Sequence, residues 1–500
     1  MELLKFKNLF LKLCKVENVA EISEVLLNVV LKNDIAFFEK FQELTKNENK
    51  TDFLQSLWQY YCADRNEKKQ DFTPRSICRL VAKLSGEADS FYDCCGGSGA
   101  LTIEMLNFNK NAKNIFIEEL DKNVIPFLLF NICLKNVNGI VVNGNVLTKD
   151  VLKIFQLTKG EKFSTCQIIE NFKEEKFEIA ISNPPFNIKW QALPDERFPV
   201  LPPKNKANYA FVLNCLAKAD KAVVILPNGV LNSEEEIGIR NFLVEKDLLE
   251  TVVVLPGNMF DSTQISTCVL VLNKNKKNKN NICFVDSRKN CVIEERMQNG
   301  QFGGNSHTGR TYVKKFNVLN SDNIDKIIDV IENKKNIPEF SAIKKNEDIE
   351  NEGYNLSPSR YIEFVSKENH HRNLQEIADN INSILKFQNS CKLIINETIA
   401  KQIGLDKTIF DKSKENSKEL QQQMRLLKIE IGVEDYIQFT KNKNEFVFKC
   451  NNKELLPDIF LDFFNIWKSN IKLLNSMQNE YLKELREAAM ADLMSGKIEI

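Results

Sequence analysis

The apolar run Phe177-Glu178-Ile179-Ala180-Ile181-Ser182 passes directly into Asn183-Pro184-Pro185-Phe186. The run reads as a buried strand, and two prolines cannot extend it. The chain therefore has to place a polar amide, a stiff backbone and an aromatic ring at the C-terminal end of an interior strand. That set suits a planar amine. The Asn183 side-chain oxygen and the Pro184 carbonyl can accept two hydrogen bonds from an exocyclic NH2. Proline fixes the backbone angle and removes a competing donor, and Phe186 can stack on the ring face. The lone pair of an aromatic amine such as adenine N6 is delocalised into the ring. Two acceptors on its hydrogens pull the nitrogen toward a tetrahedral shape, which resembles the transition state of methyl transfer more than the ground state. No Cys-His or Ser-His-Asp set stands out. The alternative is an ordinary Pro-Pro turn after a strand.

Residues upstream bear on that choice. Tyr92-Asp93-Cys94-Cys95-Gly96-Gly97-Ser98-Gly99-Ala100-Leu101 reads as a strand end, a small-residue turn and a helix start. Such a turn lets backbone amides approach a ligand closely. Asn114-Ile115-Phe116-Ile117-Glu118-Glu119-Leu120-Asp121 is a second strand ending in acids. An acid about 20 residues after a glycine turn is the usual partner of ribose hydroxyls. Glu119 fits that place, with Glu118 or Asp121 as neighbours; for any one of them a surface charge is the plainer reading. A third piece, Gln70-Asp71-Phe72-Thr73-Pro74-Arg75, precedes the amphipathic run Ser76 to Leu84. It reads as a helix start with Thr73 as N-cap and Pro74 at the first helical position, and a capped helix start beside a cofactor can also carry contacts.

With these pieces in order, the chain resembles the modification (M) subunits of type I restriction–modification systems, which are N6-adenine DNA methyltransferases. The similarity runs from Gln70 to about Tyr361. It extends to Lys189-Trp190, Arg197-Phe198-Pro199, Ala207-Asn208-Tyr209-Ala210-Phe211, Leu226-Pro227-Asn228-Gly229, Asp247-Leu248-Leu249-Glu250, Thr267 to Asn273 and Tyr354 to Tyr361. The resemblance implies an α/β fold, a Rossmann-like S-adenosylmethionine-dependent methyltransferase sheet with helical N-terminal and C-terminal regions. It implies S-adenosyl-L-methionine as methyl donor, held by Gln70, Asp71, Phe72, Thr73, Pro74, Arg75, Gly97, Ser98, Gly99, Ala100 and Glu119, with Asp93 supporting the turn. Asn183, Pro184, Pro185 and Phe186 would be catalytic, acting on an adenine rotated out of duplex DNA. It implies a specificity (S) subunit and a restriction (R) subunit as partners. Four positions depart from the family pattern. Asn145 and Asn208 stand where an Asp is common, and Cys94-Cys95 replaces Pro and a small residue. Asn145 would still offer a hydrogen bond to the cofactor, as an amide.

Composition sets outer bounds. At 500 residues the chain has room for two to four domains. Lys and Arg number 68 against 68 Asp and Glu, so positive surface for DNA must be local or supplied by a partner. There are 13 cysteines, no Cys-x-x-Cys pair, and only His307, His370 and His371, which argues against a zinc site and for free thiols in a reducing cytoplasm. Met1-Glu2-Leu3-Leu4-Lys5 leads into a mixed amphipathic helix rather than a signal peptide. No apolar run approaches the ~18 residues of a membrane span.

The expected division is a helical region over 1–65, a catalytic domain over 66–362 and a helical C-terminal region over 363–500. Leu3, Leu4, Phe6, Leu9, Phe10 and Leu13 recur at helical spacing, 44–52 is a polar loop, and Phe53–Tyr61 is a helix. Core strands are expected at 90–92, 115–118, 140–142, 178–182, 222–226 and 251–255, with helices at 122–134 and 207–218, giving a parallel sheet covered on both faces. Residues 267–272 and 282–285 are expected to flank a hairpin tip carrying Lys274, Lys276, Lys277 and Lys279, either a phosphate contact or a solvated loop. The stretch 187–206, proline-rich over 192–204, reads as a substrate-side lip or a plain surface loop. Trp467, Ile471, Leu474, Gln478, Tyr481, Leu485 and Ala488 make a coiled-coil-like seam, for docking on an S subunit or for packing on its own domain. No function is assigned to 400–460. Two further functions stand beside DNA methylation: methylation of an RNA base or protein glutamine, and a non-catalytic assembly role.

Overall fold

The computed structural model of the chain describes residues 3–46, 52–62, 73–110, 112–173, 175–260, 265–299 and 311–363, and the short stretches 375–376, 379–385, 437–442, 445–450 and 476–484. Residues 1–365 form one compact unit and 366–500 a second. In the second unit Ile437–Asn442 and Glu445–Cys450 pair antiparallel, so a strand pair interrupts the helical pattern expected of 363–500. Of the C-terminal seam only Gln478 and Tyr481 are described, both half-buried on the helix 476–484; Trp467, Ile471, Leu474, Leu485 and Ala488 lie outside the described residues.

The first unit starts with helices α1 (Leu3–Cys14), α2 (Ile22–Leu31), α3 (Ile35–Leu44) and α4 (Phe53–Tyr61), followed by α5 (Arg75–Ser85), α6 (Ala100–Phe108), α7 (Ile125–Cys133) and α8 (Asn208–Lys218). Its strands are β1 (Ser90–Asp93), β2 (Asn114–Glu119), β3 (Gly139–Asn145), β4 (Asp150–Thr158), β5 (Thr165–Ile169), β6 (Phe177–Ser182), β7 (Ala219–Pro227), β8 (Leu249–Val254), β9 (Thr267–Asn273), β10 (Asn281–Asp286), β11 (Val292–Asn299), β12 (Thr311–Val318) and β13 (Ser341–Lys345). All but β11 and β12, which pair with each other, form one sheet in the order β13-β10-β8-β9-β7-β6-β1-β2-β3-β4-β5. The centre, β7-β6-β1-β2-β3, is parallel throughout. Its strands are apolar on both faces because helices cover both. This is the Rossmann-like α/β sheet expected, with antiparallel additions on each flank.

The order in which the chain adds strands switches sides at β1, which has β2 on one side and β6 on the other. In the register Asp93 lies opposite both Ile117 and Ile181, so the C-terminal ends of β1, β2 and β6 finish close together. Open α/β sheets bind ligands in the crevice at such a switch point.

The N-terminal helices form a further layer over one face. Helix α7 is buried around its whole circumference. One side lies against the sheet; the other is roofed by Phe38, stacked on Phe130 at 4.7 Å, and by Trp58 at 4.9 Å from Phe127. That is why Ile125-Pro-Phe-Leu-Leu-Phe-Asn-Ile-Cys133 lacks a polar face. Its single amide, Asn131, is spent internally. The amide nitrogen donates to Asp52 (2.9 Å) and to the Ser98 carbonyl (2.8 Å). Asp52 also caps α4, accepting from the Leu54 and Gln55 amides, and accepts from the Ser98 hydroxyl at 2.7 Å.

Two expectations are corrected. Strands β9 and β10 do not form a hairpin: β8 lies between them, antiparallel to β9 and parallel to β10. The valine run of β8 needs a partner on each edge, and these two strands supply them. The connecting loop does not present Lys276 to solvent either. Its side chain is buried, bonded to Asp247 and donating to the carbonyls of Leu249 (2.9 Å) and Asn281 (3.1 Å), so Lys276 is no phosphate contact. Strands β4 and β5 are additions that no strand expectation covered.

Replacing Asp52 with Ala removes a helix cap (about 1 kcal/mol) and leaves Ser98 and Asn131 short of an acceptor (about 1–3 kcal/mol). Thermal denaturation should show a fall in Tm of several degrees for Asp52→Ala, and a smaller one for Asp52→Asn, which keeps one acceptor oxygen. Equal stability of Asp52→Ala and wild type would mean that this junction is not a stabilising one.

Candidate functional site: a strand-end cavity

A cavity of about 530 Å3 opens where β1, β2, β3 and β6 end. Among the residues expected to act, Thr73, Gly97, Ser98, Ala100, Glu119, Asn145, Asn183, Pro184, Pro185 and Phe186 all line it. Pro74, Arg75, Asp93 and Gly99 are not among the lining residues, and Gln70, Asp71 and Phe72 lie outside the described residues.

The turn after β1 takes its shape from three glycines. Gly97 and Gly99 have φ of +53° and +99°, a region that residues with a Cβ avoid. At Gly96 an added Cβ would come within 2.4 Å of Ile117 Cγ2, so the turn can lie flat on β2 only without one. Glu119 then ties turn to strand. One carboxylate oxygen accepts from the Gly97 amide and the other from the Asp121 amide, both at 2.7 Å. Burial pushes its pKa up. The alternation of side chains along β2 separates the adjacent acids: Glu119 faces the cavity, whereas Glu118 points to the other side, bonded to Tyr92 and 3.0 Å from Lys218. Below the turn, Asp93 is fully buried and accepts from the Thr102 hydroxyl at 2.8 Å and the Cys95 amide at 3.3 Å. Ser98 also lines the cavity, with its hydroxyl committed to Asp52.

Thr73 is not the cap of α5. Pro74 occupies that position and its carbonyl accepts from the Ile77 and Cys78 amides. The Thr73 hydroxyl instead accepts from Asn183 Nδ2 at 2.8 Å, which turns the amide nitrogen toward α5 and its oxygen the other way. Behind the tetrapeptide, Asn187 holds φ +54° and forms a two-way amide pair with Asn208. Asn208 Oδ1 accepts from the Asn187 backbone N–H, and Asn208 Nδ2 donates to Asn187 Oδ1, both at 2.9 Å. An Asp at 208 has no donor for the second bond, so the departure from the family pattern matches a partner within the chain. Phe186 is held edge-on by Phe260, with centroids 6.2 Å apart. Cys94 fills the space under β6, its thiol donating to Ser182 Oγ at 3.1 Å.

On the β3 side, Asn145 Oδ1 accepts from the Leu147 and Thr148 amides at 3.0 and 3.4 Å. The wall it shapes, 145–148, faces the lip carrying Ile188, Lys189, Trp190 and Gln191, which also line the cavity. Of the residues that shape the site, Asp52, Asn131, Cys94 and Arg197 were not expected from their types. Asp52, directly before an apolar helical run, carried the one readable signal, that of an N-cap.

These residues fit a nucleoside-bearing methyl donor. The glycine turn lets a ligand lie close to the main chain with no Cβ in the way, Glu119 has lone pairs beyond the two in use, and Leu101, Leu120, Val146, Leu147 and Phe211 give an apolar wall. A mixed α/β sheet with this turn, this acid and an Asn-Pro-Pro-Phe strand end defines a methyltransferase-type site.

Comparison with known proteins agrees. Residues 50–370 match the N-6 DNA Methylase family, and the chain belongs to that family. It is similar to the type I restriction enzyme MpnII methylase subunit of Mycoplasma pneumoniae, 27% identical over 66% of this chain and 59% of the relative. It is also similar to the type I restriction enzyme HindI methylase subunit of Haemophilus influenzae, 26% identical over 71% of this chain and 78% of the relative. Against the first of these the chain spans less than two thirds of the relative's length. A crystal structure of a type I restriction-modification system methyltransferase subunit from Streptococcus thermophilus aligns with a TM-score of 0.47 at 24% identity, covering 59% of each chain.

Burial pushes the Asp93 pKa from 3.8 up to about 7. Between those values the unfolded chain has lost this proton and the folded chain keeps it. The contribution is full below about pH 4 and is lost as pH rises through about 7. Some three units correspond to at most about 4 kcal/mol. Chemical denaturation at pH 5 and pH 8 should show wild type losing more stability than Asp93→Asn over that interval; parallel losses would show that Asp93 titrates normally.

Proposed function

We propose that the chain is the modification subunit of a type I restriction–modification system, a DNA methyltransferase that moves a methyl group from S-adenosyl-L-methionine to N6 of a flipped-out adenine. One observation carries the reading: a single cavity gathers the glycine turn, Glu119 and Asn183 to Phe186, although these segments lie far apart in the chain. Family membership and the names of the relatives support it.

Bound S-adenosyl-L-methionine supplies an electrophilic methyl on a sulfonium. The chain's residues do the rest. Gly97, Ser98, Ala100 and Thr73 line the donor side, and Glu119 accepts from ribose hydroxyls. Asn183 Oδ1 and the Pro184 carbonyl accept the two N6 hydrogens, holding the nitrogen close to the geometry it adopts as the new bond forms. Thr73 steadies Asn183 from its nitrogen side. Phe186 offers a ring to the extruded base and replaces part of the stacking lost from the duplex. No strong base is required, because the N6 proton becomes acidic once the nitrogen carries the methyl.

Duplex DNA is the substrate in this reading, an S subunit supplies sequence recognition, and an R subunit completes the system. A cytoplasmic location belongs to this reading; among the described residues no helix is long and apolar enough to cross a membrane, and the eleven cysteines whose side chains are described are free.

With a cognate S subunit present, Asn183→Ala should lower methyl transfer to adenine in duplex DNA by about 10²–10³-fold or more and leave cofactor affinity within a few-fold, measured by labelled-methyl transfer and calorimetry. Loss of cofactor binding in that variant would show the role misassigned. Glu119→Ala should weaken S-adenosyl-L-methionine binding by roughly 10–100-fold, the worth of a charge-assisted hydrogen bond; unchanged affinity would remove Glu119 from the cofactor site.

A further inference from the structure

Arg197 lies in the lip, 7% exposed, and every one of its five side-chain N–H donors is used. Nε and one Nη2 hydrogen form a fork on Asp195, at 2.9 Å each. Nη1 donates to the Val146 carbonyl (2.6 Å) and to Asn214 Oδ1 (2.9 Å), and Nη2 donates to the Leu147 carbonyl (3.0 Å). A buried guanidinium is costly unless paired. Asp195 meets that need within the lip itself, and the guanidinium in turn holds the Asp195 carboxyl well below the usual range. The other three bonds therefore go beyond charge neutralisation. Two of them cross about fifty residues of sequence to grip the main chain of the wall 145–148, and the third reaches α8 through Asn214, whose Nδ2 donates to Tyr92 of β1 at 2.9 Å.

The lip is a closed loop. Its ends pair through Trp190 N to the Lys204 carbonyl (3.0 Å) and Ala207 N to the Ile188 carbonyl (2.9 Å). Arg197 lies over the Phe198 ring, with Cζ 5.0 Å from its centroid. Phe198 meets the Trp190 ring edge-on at 5.3 Å, and the Trp190 indole is tethered to the Pro203 carbonyl at 3.0 Å. Trp190 lines the cavity beside Ile188 and Gln191. A continuous path of contacts thus runs from the Val146 and Leu147 carbonyls through Arg197 and Phe198 to Trp190.

We propose that Arg197 is a positioning residue that makes the wall 145–148 and the lip 188–207 respond as one piece, so that a cofactor seated against the wall sets the place of Trp190 in the acceptor half of the cavity. This rests on the cofactor reading given above and adds an order to it: the acceptor pocket takes its working shape only when the donor is in place. Free energy passes between two sites only where both bias one element, and the wall–lip piece is that element. Lysine cannot take over the task. It keeps the charge, but one ammonium on a flexible stem cannot hold two carbonyls, an amide and a carboxylate in the fixed directions of a planar fork.

The test is amide hydrogen exchange on the full chain with and without S-adenosyl-L-homocysteine. In wild type the ligand should slow exchange about tenfold or more over 145–148 and also over 190–204. Arg197→Lys should bind the ligand within a few-fold and keep the slowing over 145–148 while losing it over 190–204. Phe198→Ala cuts the path one contact later with all five Arg197 bonds in place. It should preserve the response at 195–197 and lose it at Trp190, and it carries the test if the Arg197 variant does not fold. A purely structural Arg197 would instead lower Tm and leave the ligand response of both segments together. Slowing over 190–204 that survives in the variants, or a wild-type lip indifferent to bound ligand, would overturn this inference alone. Failure of wild type to bind S-adenosyl-L-homocysteine would overturn the cofactor reading and the inference with it.

Discussion

The carboxylate of Asp52 is the group on which the site's architecture most depends. It accepts from two amides of α4, from Asn131 in α7 and from the hydroxyl of Ser98. Three segments distant in the chain, α4, α7 and the glycine turn, thus meet on one carboxyl. Burial raises the pKa of that carboxyl, a cost that its four hydrogen bonds offset. Because the turn is built from glycines, it has little shape of its own. It is held from outside, by Asp52 through Ser98 on one side and by Glu119 through Gly97 on the other. The N-terminal helices in this sense hold the cavity's shape, although none of their residues lines it.

A second constraint is the level finish of the parallel strands. Register places the ends of β1, β2 and β6 together, so the glycine turn, the acid and the Asn-Pro-Pro-Phe segment open onto one space without any long loop to carry them. Side chains reaching across then set orientation. Thr73 holds Asn183 by its nitrogen, Asn208 holds the exit of the tetrapeptide, and Arg197 joins the two walls. These are hydrogen bonds between groups withdrawn from water, where loss of a partner costs more than the bond itself contributes.

The departures from the family pattern make local sense in this setting. Asn208 needs a donor for Asn187, which carboxylate could not supply. Cys94 needs to be small and weakly polar to sit beneath Ser182 and beside Cys215, 3.6 Å from its sulfur. Asn145 shapes its own loop through the Leu147 and Thr148 amides; its oxygen serves the wall, whatever else the amide nitrogen contacts.

What the residue order determined by itself was the sheet and the residues gathered at its edge. Apolar runs at Phe91, Ile115 to Ile117 and Ile179 to Ile181 mark interior strands, and the residues following each are those found in the cavity, because position along a strand is a local property. Glu119 fits by its spacing from the glycine turn, and period-two alternation then sends Glu118 to the other face. What only the tertiary structure decided was which polar groups are spent on one another. Thr73 looked like a helix cap and serves Asn183; Lys276 looked like a solvated cation and is buried against Asp247. β9 and β10 looked like a hairpin and are parted by β8. Arg197 drew notice only as part of a family-like triplet. Each of these depends on a partner tens of residues away or more, and hydrogen-bond pairing across such distances leaves no periodicity in the chain to read.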